Sequence, residues 1–255
     1  MIVFDMGEGI QYESHPEIAA KDAWTKEKFR GELNRLRGMG FEVIPKLNFS
    51  TCHDEWMGLM SRMVSTPPYY RFCADMIDEV TELFDSPRFF HIGMDEEGYA
   101  CQGKYNLAMS RQGELWWHDF NYIVSCVEKR GARAWMWADE VWHHREDFLE
   151  KMSREVLMSN WYYGDFEPEH WDRVQISSYD LLDQHGFDQI PTGSTWSRDD
   201  NFPETVRYCE NHLSREKTLG YLQVPWFPVT PARADRQYLA IEKLAEAKKL
   251  KEVRA

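Results

Sequence analysis

The sequence predicts an α/β protein of the (β/α)8 type, the TIM barrel. Short apolar segments alternate with amphipathic helical segments along the whole chain, and no antiparallel interlude interrupts the series. The length of 255 residues is close to the ~250 residues that are usual for such barrels. A hydrophobic content of 43% is sufficient for one large core. We therefore expect a single barrel domain over residues 1–255.

Seven segments have the length and apolar character of strands in a parallel sheet. We predict them at Ile2–Met6, Phe41–Phe49, Phe89–Asp95, Arg133–Asp139, Val156–Trp161, Asp188–Thr195 and Leu219–Trp226. A closed barrel of this type has eight strands, so the simplest expectation is a barrel that lacks, or is trimmed of, a first strand upstream of Ile2. A weak strand at Val174–Ser178 is the alternative, although Ile176–His185 fits a short helix that ends at Gly186 better.

The helices between these strands are predicted from their start signals. Thr25 can cap the first helix, and Thr66 followed by Pro67 opens the second. Pro203 and Pro231 open two later helices. A third helix has an apolar face at helical spacing, made by Trp117, Phe120, Val124 and Val127.

Composition narrows the possible partners. The formal net charge of -13 disfavours nucleic acid, because binding to a polyanion depends on clustered Lys and Arg. The five cysteines show no metal-like spacing, so we expect reduced, mostly buried thiols and no metal or other cofactor. No apolar run approaches the ~20 residues needed to cross a bilayer, and no signal-peptide pattern opens the chain. We expect a soluble protein without a membrane partner, cytoplasmic as written, or exported if an upstream signal was removed. The pattern does not predict an oligomeric state.

The most informative segment is 89–97, where an apolar run ends in three consecutive carboxylates, Asp95, Glu96 and Glu97. Adjacent ionised carboxylates repel one another and raise at least one pKa, which acid/base chemistry can use. In a (β/α)8 barrel the active site lies at the carboxyl ends of the strands, which is where these acids fall. The segment therefore predicts a hydrolytic site, with a solvated strand end or a helix cap as the alternative.

Strand alternation assigns faces within this segment. Phe89, His91, Gly93 and Asp95 share one face, and the apolar residues between them share the other, which should meet the helices. We expect Asp95 to point into the barrel mouth with His91 beneath it, and Glu96 to rise to the rim at the turn.

Aromatic residues recur at the same end of the later strands. Four successive strands each place a Trp at or just past their carboxyl end, and flat apolar faces of this kind can stack on the C–H surface of a sugar ring. We therefore predict a carbohydrate site with Asp95 and Glu96 as its catalytic residues. The predicted substrate-binding residues are His53, His91, Trp137, Asp139, Glu140, Trp161, Trp196 and Trp226. The alternatives are structural histidines, a capping Asp139 and core tryptophans.

Two segments resemble a known family. The sequence His-Ile-Gly-Met-Asp-Glu at 91–96 resembles the His-x-Gly-Gly-Asp-Glu signature of family 20 glycoside hydrolases, the β-N-acetylhexosaminidases. The sequence Val-Ile-Pro-Lys-Leu-Asn at 43–48, followed by His53, is similar to that family's Ile-Pro-Glu-Ile-Asp…Gly-His segment. The family's pocket tryptophans are expected at Trp137, Trp161 and Trp226.

The resemblance implies an exo-acting, retaining enzyme that acts on an amino-sugar-containing glycan or glycoside. Members of the family have no enzymic nucleophile, because the 2-acetamido oxygen of the substrate attacks the anomeric carbon. By this resemblance Glu96 is the general acid/base. Asp95 orients the acetamido group and stabilises its developing charge.

The chain also departs from the family pattern. It has no strand that supplies the family's sugar-gripping Arg, and Trp226 is not followed closely by a Glu. Asn48 replaces an Asp, and residues 190–196 contain no match to the acetamido-binding Tyr. Two alternatives stay open: a glycosidase of different sugar specificity that uses Glu96 with Glu140, and a non-catalytic or divergent sugar-binding barrel.

Overall fold

The structure is a computed structural model that describes residues 1–103 and 106–252. The chain divides into two compact units, Met1–Met136 and Trp137–Ala255, called unit 1 and unit 2 below. Seven strands lie in the described ranges, the number expected from the sequence. The strands β1 to β5 form a parallel sheet in chain order, and β6 pairs with β7. The predicted α/β class is therefore confirmed, whereas closure into a barrel and the single domain stay predictions.

Unit 1 carries the first four strands. They are β1 (Ile2–Asp5), β2 (Val43–Lys46), β3 (Phe89–Gly93) and β4 (Arg133–Trp137), whose last residue belongs to unit 2. In the parallel register Asp5 pairs with Lys46, and Lys46 pairs with His91. Because parallel strands end at the same edge of a sheet, the residues that follow β1, β2 and β3 converge there.

Three α-helices connect these strands: α1 (Lys26–Gly38), α2 (Pro67–Leu83) and α3 (Glu114–Lys129). Short 3-10 helices lie at Gly7–Gly9, Pro16–Ile18, Glu55–Arg62 and Tyr99–Gln102. The Thr25 side chain accepts a hydrogen bond from the Lys28 backbone N–H at 3.2 Å, which confirms the predicted cap of α1. The predicted inward face of α3 is buried, at Trp117, Phe120, Val124 and Val127.

Unit 2 contains three further strands and five α-helices in its described residues. In chain order they are α4 (Glu140–His143), α5 (Arg145–Lys151), β5 (Leu157–Ser159), α6 (Val174–Gln184), β6 (Thr192–Ser194), α7 (Asn201–His212), β7 (Leu222–Val224) and α8 (Ala234–Glu252). Two short 3-10 helices lie at Pro168–His170 and Pro231–Arg233. Strands β6 and β7 pair in parallel, with Thr192 opposite Leu222. The core beside α6 and α7 includes Ile176, Tyr179 and Cys209.

Two expectations about strands are wrong. Residues 174–178 belong to α6, so the alternative strand there does not exist, and the favoured helix is confirmed. Strand β3 ends at Gly93 and not at Asp95, because the register shifts between His91 and Gly93 and the backbone then turns left-handed, with φ of 74° at Gly93 and 72° at Met94. The strict alternation expected from 89 to 95 therefore stops at Gly93.

No helix in the described part of the chain has both the length and the apolarity that crossing a lipid bilayer requires.

Candidate active site

In unit 1 the predicted catalytic residues lie on the tight turn that follows β3. Glu96 has a φ of 56°, a left-handed conformation that non-glycine residues adopt rarely and that concentrates at functional sites. Its side chain is 42% exposed, whereas that of Asp95 is 13% exposed. The turn thus directs one carboxylate toward solvent and keeps its neighbour largely enclosed.

His53 links the two carboxylates. Its Nε2 lies 3.1 Å from Glu96 Oε2 and 3.4 Å from Asp95 Oδ2. Burial lowers the pKa of His53, but the hydrogen bond to Glu96 and the charges of both carboxylates outweigh it, so the pKa is raised. A protonated imidazole therefore reduces the repulsion between the two acids.

The same three residues are also spaced as cation ligands. One ligand atom each from His53, Asp95 and Glu96 lies within 4.8 Å of the other two. Such a set could hold a metal ion or share a proton, and the absence of a metal cofactor stays a prediction.

Asn48, which follows β2, fixes the position of Asp95. Its Nδ2 donates to Asp95 Oδ1 at 2.7 Å. Its Oδ1 accepts from the backbone N–H groups of Ser50 at 3.0 Å and Met94 at 3.2 Å. One amide therefore connects the end of β2 to the turn that carries the acids.

Burial raises the pKa of Asp95, while the charges of His53 and Lys46 and the hydrogen bond from Asn48 oppose the rise. Lys46 is 4% exposed, and its Nζ donates to Asp5 at the end of β1. Lys46 and Asp5 were not among the predicted site residues. Their positions as the last residues of β2 and β1 are the signal that could have identified them, because the ends of parallel strands meet at one edge.

His91 is fully buried inside unit 1. Its Nδ1 accepts a hydrogen bond from the Gly93 backbone N–H at 3.0 Å, and its ring packs on Trp135 with centroids 4.8 Å apart. Burial holds the pKa of His91 well below its ordinary value, so the ring is neutral. Through these contacts His91 supports the turn that follows β3. Its role in substrate binding stays a prediction.

The third acid of the segment, Glu97, is buried in a network of ion pairs and hydrogen bonds. Its side chain is 2% exposed and lies 2.6 Å from Arg111 Nη2. Arg111 is also buried and contacts Asp119 at 3.1 Å. Thr51 Oγ1 donates to Glu97 at 2.9 Å. This buried network holds the turn in place. No pattern in the local sequence distinguishes Glu97 from Asp95 and Glu96.

In unit 2 the predicted tryptophans form one aromatic cluster around Tyr163. The Trp161 ring stacks on Tyr163 with centroids 5.1 Å apart, and Trp226 Nε1 donates to the Tyr163 hydroxyl at 2.8 Å. The centroids of Trp226 and Trp137 are 5.9 Å apart, and those of Tyr163 and Trp196 are 6.5 Å apart. Trp137 is 1% exposed, whereas Trp196 and Trp226 are 57% and 40% exposed. The last two therefore present open aromatic surface.

The two predicted acids of unit 2 lie at the start of α4. Asp139 is buried, and its Oδ1 accepts from Trp161 Nε1 at 3.3 Å. Asp139 occupies the N-cap position of α4, as the capping alternative expected, but its side chain makes no capping hydrogen bond. Glu140 bonds to His144 Nδ1 at 2.6 Å with its side chain 11% exposed. Asp139 thus belongs with the aromatic cluster, which also includes Tyr163, a residue that was not predicted.

Comparisons with known proteins concern the fold. No protein-family model and no curated protein matches the chain. Its structure is similar to that of a tri-modular GH5 (subfamily 4) endo-β-1,4-glucanase from Bacillus licheniformis, solved with cellotetraose. The TM-score is 0.52 at 12% identity, over 92% of this chain and 48% of that one. A second similar structure is a β-glucuronidase from Bacteroides uniformis, with a TM-score of 0.42 at 13% identity over 88% of this chain and 30% of that one.

The glucanase comparison shows a likeness of fold, in agreement with the predicted α/β class. The chain spans about half of that protein's length. Family 20 membership stays a prediction based on the two sequence segments.

Proposed function

We propose that this chain is a glycoside hydrolase, specifically an exo-acting, retaining β-N-acetylhexosaminidase that uses substrate-assisted catalysis. The observation that carries the proposal is the position of His53 Nε2, 3.1 Å from Glu96 Oε2 and 3.4 Å from Asp95 Oδ2. The two acids lie on the turn that follows β3, and His53 comes from the segment that follows β2. Two carboxylates of unequal exposure beside one imidazole provide both a proton donor and a fixed negative charge. The glycosidase fold of the similar glucanase agrees with this chemistry.

Glu96 is assigned the role of general acid/base. Its exposed carboxyl donates a proton to the glycosidic oxygen as the bond to the anomeric carbon breaks. The acetamido oxygen of the substrate then closes onto the anomeric carbon. Water next attacks this carbon, the bond between the carbon and the acetamido oxygen breaks, and the acetamido group is restored. The water gives its proton to the Glu96 carboxylate, which regenerates the acid, and the two displacements yield net retention. His53 holds the carboxylate in place at 3.1 Å.

Asp95 is assigned the orienting role, which requires its ionised form. Burial raises the pKa of Asp95, and the positive charges of His53 and Lys46 and the hydrogen bond from Asn48 oppose that rise. We assign the ionised form to the complex with substrate. The carboxylate then accepts the acetamido N–H and offsets the positive charge that develops on the nitrogen. An enclosed carboxylate suits this task, because electrostatic stabilisation is stronger where water is excluded.

The exposed aromatic surface of unit 2 supports binding of a sugar. Trp196 and Trp226 offer open indole faces beside Tyr163, and such faces stack on the apolar side of a pyranose. Asp139 can accept a hydrogen bond from a sugar hydroxyl. An amino-sugar-containing glycan or glycoside is the proposed substrate.

The test compares Glu96→Gln with the parent protein on a chromogenic N-acetyl-β-glucosaminide. We expect turnover to fall by about 10²-fold or more, the contribution usual for general acid/base catalysis, with little change in thermal stability. Glu82→Gln is the matched control, because Glu82 is exposed on α2, and it should keep full turnover. A thiazoline mimic of the cyclised intermediate should inhibit the parent protein.

The remaining outcomes separate the alternatives. Equal rates on the matched β-glucoside, without thiazoline inhibition, would indicate a glycosidase that uses a second enzymic carboxylate, and Glu140→Gln should then abolish turnover. Sugar binding without turnover, unchanged by Glu96→Gln, would identify a non-catalytic sugar-binding barrel. Either result would refute the hexosaminidase assignment.

A further inference from the structure

Two cysteines lie beside the turn that carries the proposed catalytic acids. Cys52 is 2% exposed and follows β2, one residue before His53. Cys101 is exposed and lies in the 3-10 helix Tyr99–Gln102. The two residues come from separate segments of unit 1, and neither has a role in the proposed reaction.

The Cys52 thiol and the Cys101 backbone N–H share one acceptor, the Gly98 carbonyl oxygen. Cys52 Sγ donates to the Glu96 carbonyl at 2.7 Å and lies 3.5 Å from the Gly98 carbonyl oxygen. The Cys101 backbone N–H donates to that same Gly98 oxygen at 3.1 Å. The side chains of Cys52 and Cys101 are also in hydrogen-bonding contact with each other. The Cys52 and Cys101 side chains are therefore neighbours, although the two residues are distant in sequence.

We propose that Cys52 and Cys101 are a redox-active dithiol that closes reversibly to a disulfide. The disulfide would cross-link the His53 segment to the 3-10 helix that follows the Glu96 turn. The proposal depends on the placement of the two thiols and not on the assigned hydrolase activity. Oxidation would replace the S–H that Cys52 donates to the Glu96 carbonyl with a covalent link between the two segments.

The other three cysteines are buried, unlike Cys101. Cys73, Cys126 and Cys209 are 0%, 5% and 1% exposed, respectively. An oxidant in solution must reach a thiolate before exchange begins. Among the five cysteines, Cys101 is the exposed one, so reaction should begin at Cys101 and resolve on its neighbour Cys52.

The reaction is a thiol–disulfide exchange with a small-molecule disulfide such as oxidised glutathione. The Cys101 thiolate attacks one sulfur of the oxidant, forms a mixed disulfide and releases one glutathione thiolate. The Cys52 thiolate then attacks Cys101 Sγ and releases the second glutathione. Two protein thiols are oxidised, one oxidant disulfide is reduced to two thiols, and the released thiolates take up the protons. Burial raises the pKa of Cys52 to about 12, so its attack should be the slow step.

The test equilibrates the full chain in glutathione buffers of graded oxidised-to-reduced ratio. Samples are quenched with acid, unfolded and alkylated, and the linked peptides are identified by mass spectrometry. We expect a Cys52–Cys101 linked peptide that increases with the oxidant and disappears with dithiothreitol. The link closes a loop of about 50 residues, which restricts the unfolded chain. The midpoint temperature of thermal unfolding should therefore be higher for the oxidised form by roughly 5 °C or more.

Cys101→Ser is the control, because its side chain is exposed and should be replaced without loss of fold. This variant should show neither the linked peptide nor the thermal shift. Three results would overturn the proposal: no linked peptide at any ratio, a link between Cys73 and Cys126 in its place, or a mixed disulfide on Cys101 that persists while Cys52 stays alkylatable.

Discussion

The side-chain amide of Asn48 donates a hydrogen bond of 2.7 Å to Oδ1 of Asp95. The opposite end of the same amide accepts the backbone N–H groups of Ser50 and Met94. Asn48, two residues past the end of β2, thus influences both where the Asp95 carboxylate lies and how easily it ionises, because a donor to the charged form lowers the pKa.

Asn48→Asp should move the acid limb of the pH dependence of kcat/KM to higher pH. The substitution replaces the donor with a second carboxylate at the same distance, and like charges raise the apparent pKa of the pair. We expect a shift of about one pH unit or more, measured on the substrate that the parent protein hydrolyses. Asn34→Asp, on the exposed face of α1, should leave the profile unchanged. An unshifted limb in Asn48→Asp would show that Asp95 does not control the reaction.

Gly93→Ala should destabilise the protein and disrupt the site. A Cβ at this position would lie 1.9 Å from Asn48 Oδ1 and 2.8 Å from Asn48 Cα, and the φ of 74° is unfavourable for alanine. We expect a loss of roughly 2–4 kcal/mol in the free energy of unfolding, measured by urea denaturation.

Gly40→Ala is the matched control for Gly93→Ala. Gly40 has a similar φ of 85°, but apart from its chain neighbours no group of the described residues lies within 4 Å of the point that an added Cβ would occupy. The expected loss in the free energy of unfolding is therefore only about 1 kcal/mol, which is the cost of placing alanine in a left-handed backbone conformation without a steric clash. Equal losses in the two variants would mean that the contact with Asn48 is unimportant.

Glu97→Gln should destabilise the protein far more than Glu96→Gln. Glu97 and Arg111 are 2% and 1% exposed at their side chains, so neutralising one partner leaves a buried charge without full compensation. We expect a loss of about 2–4 kcal/mol for Glu97→Gln and less than about 0.5 kcal/mol for the exposed Glu96. Chemical denaturation of both variants measures the difference. The reverse order would indicate that the buried network does not support the turn.

Asp54→Asn should stabilise the protein increasingly as the pH rises. Burial raises the pKa of Asp54 from 3.8 to about 7, and its Oδ2 atom has no hydrogen-bond partner within the described residues. Because the folded-state pKa is raised, the stability that its proton contributes is complete below pH 3.8 and is lost as the pH rises through 7. An amide imitates the protonated form at every pH.

The measurement for Asp54→Asn is the free energy of unfolding at pH 5 and pH 8. The advantage of the variant over the parent protein should grow by on the order of 2 kcal/mol between these two values. Asp22→Asn, at an exposed position, should show no such trend. An advantage that is constant with pH would exclude ionisation of Asp54 as its cause.

Much of the fold was accessible from local patterns. Apolar segments bounded by turn signals predicted all seven strands, and the Thr25 cap and Pro67 start of the first two helices are present. The boundaries were less accurate. The predicted end of β3 at Asp95 is wrong because the chain turns left-handed at Gly93. Gly93 also lies close to Asn48, a contact between distant segments that no local pattern predicts.

The candidate site was predictable only in part. Carboxylates at a strand end and tryptophans at successive strand ends are visible in the chain, and the structure gathers the tryptophans around Tyr163. The different surroundings of Asp95, Glu96 and Glu97 are not visible, since three adjacent acids have the same local sequence context.

The sequence by itself determined the alternation of strands and helices and the concentration of acids after β3, because these follow from side-chain polarity and spacing along the chain. Only the tertiary structure decided which acid is exposed, which is enclosed beside His53 and which pairs with the buried Arg111. Those differences arise because folding brings groups that are distant in sequence within a few ångströms of each carboxyl, which gives the three acids different burial and different charged neighbours.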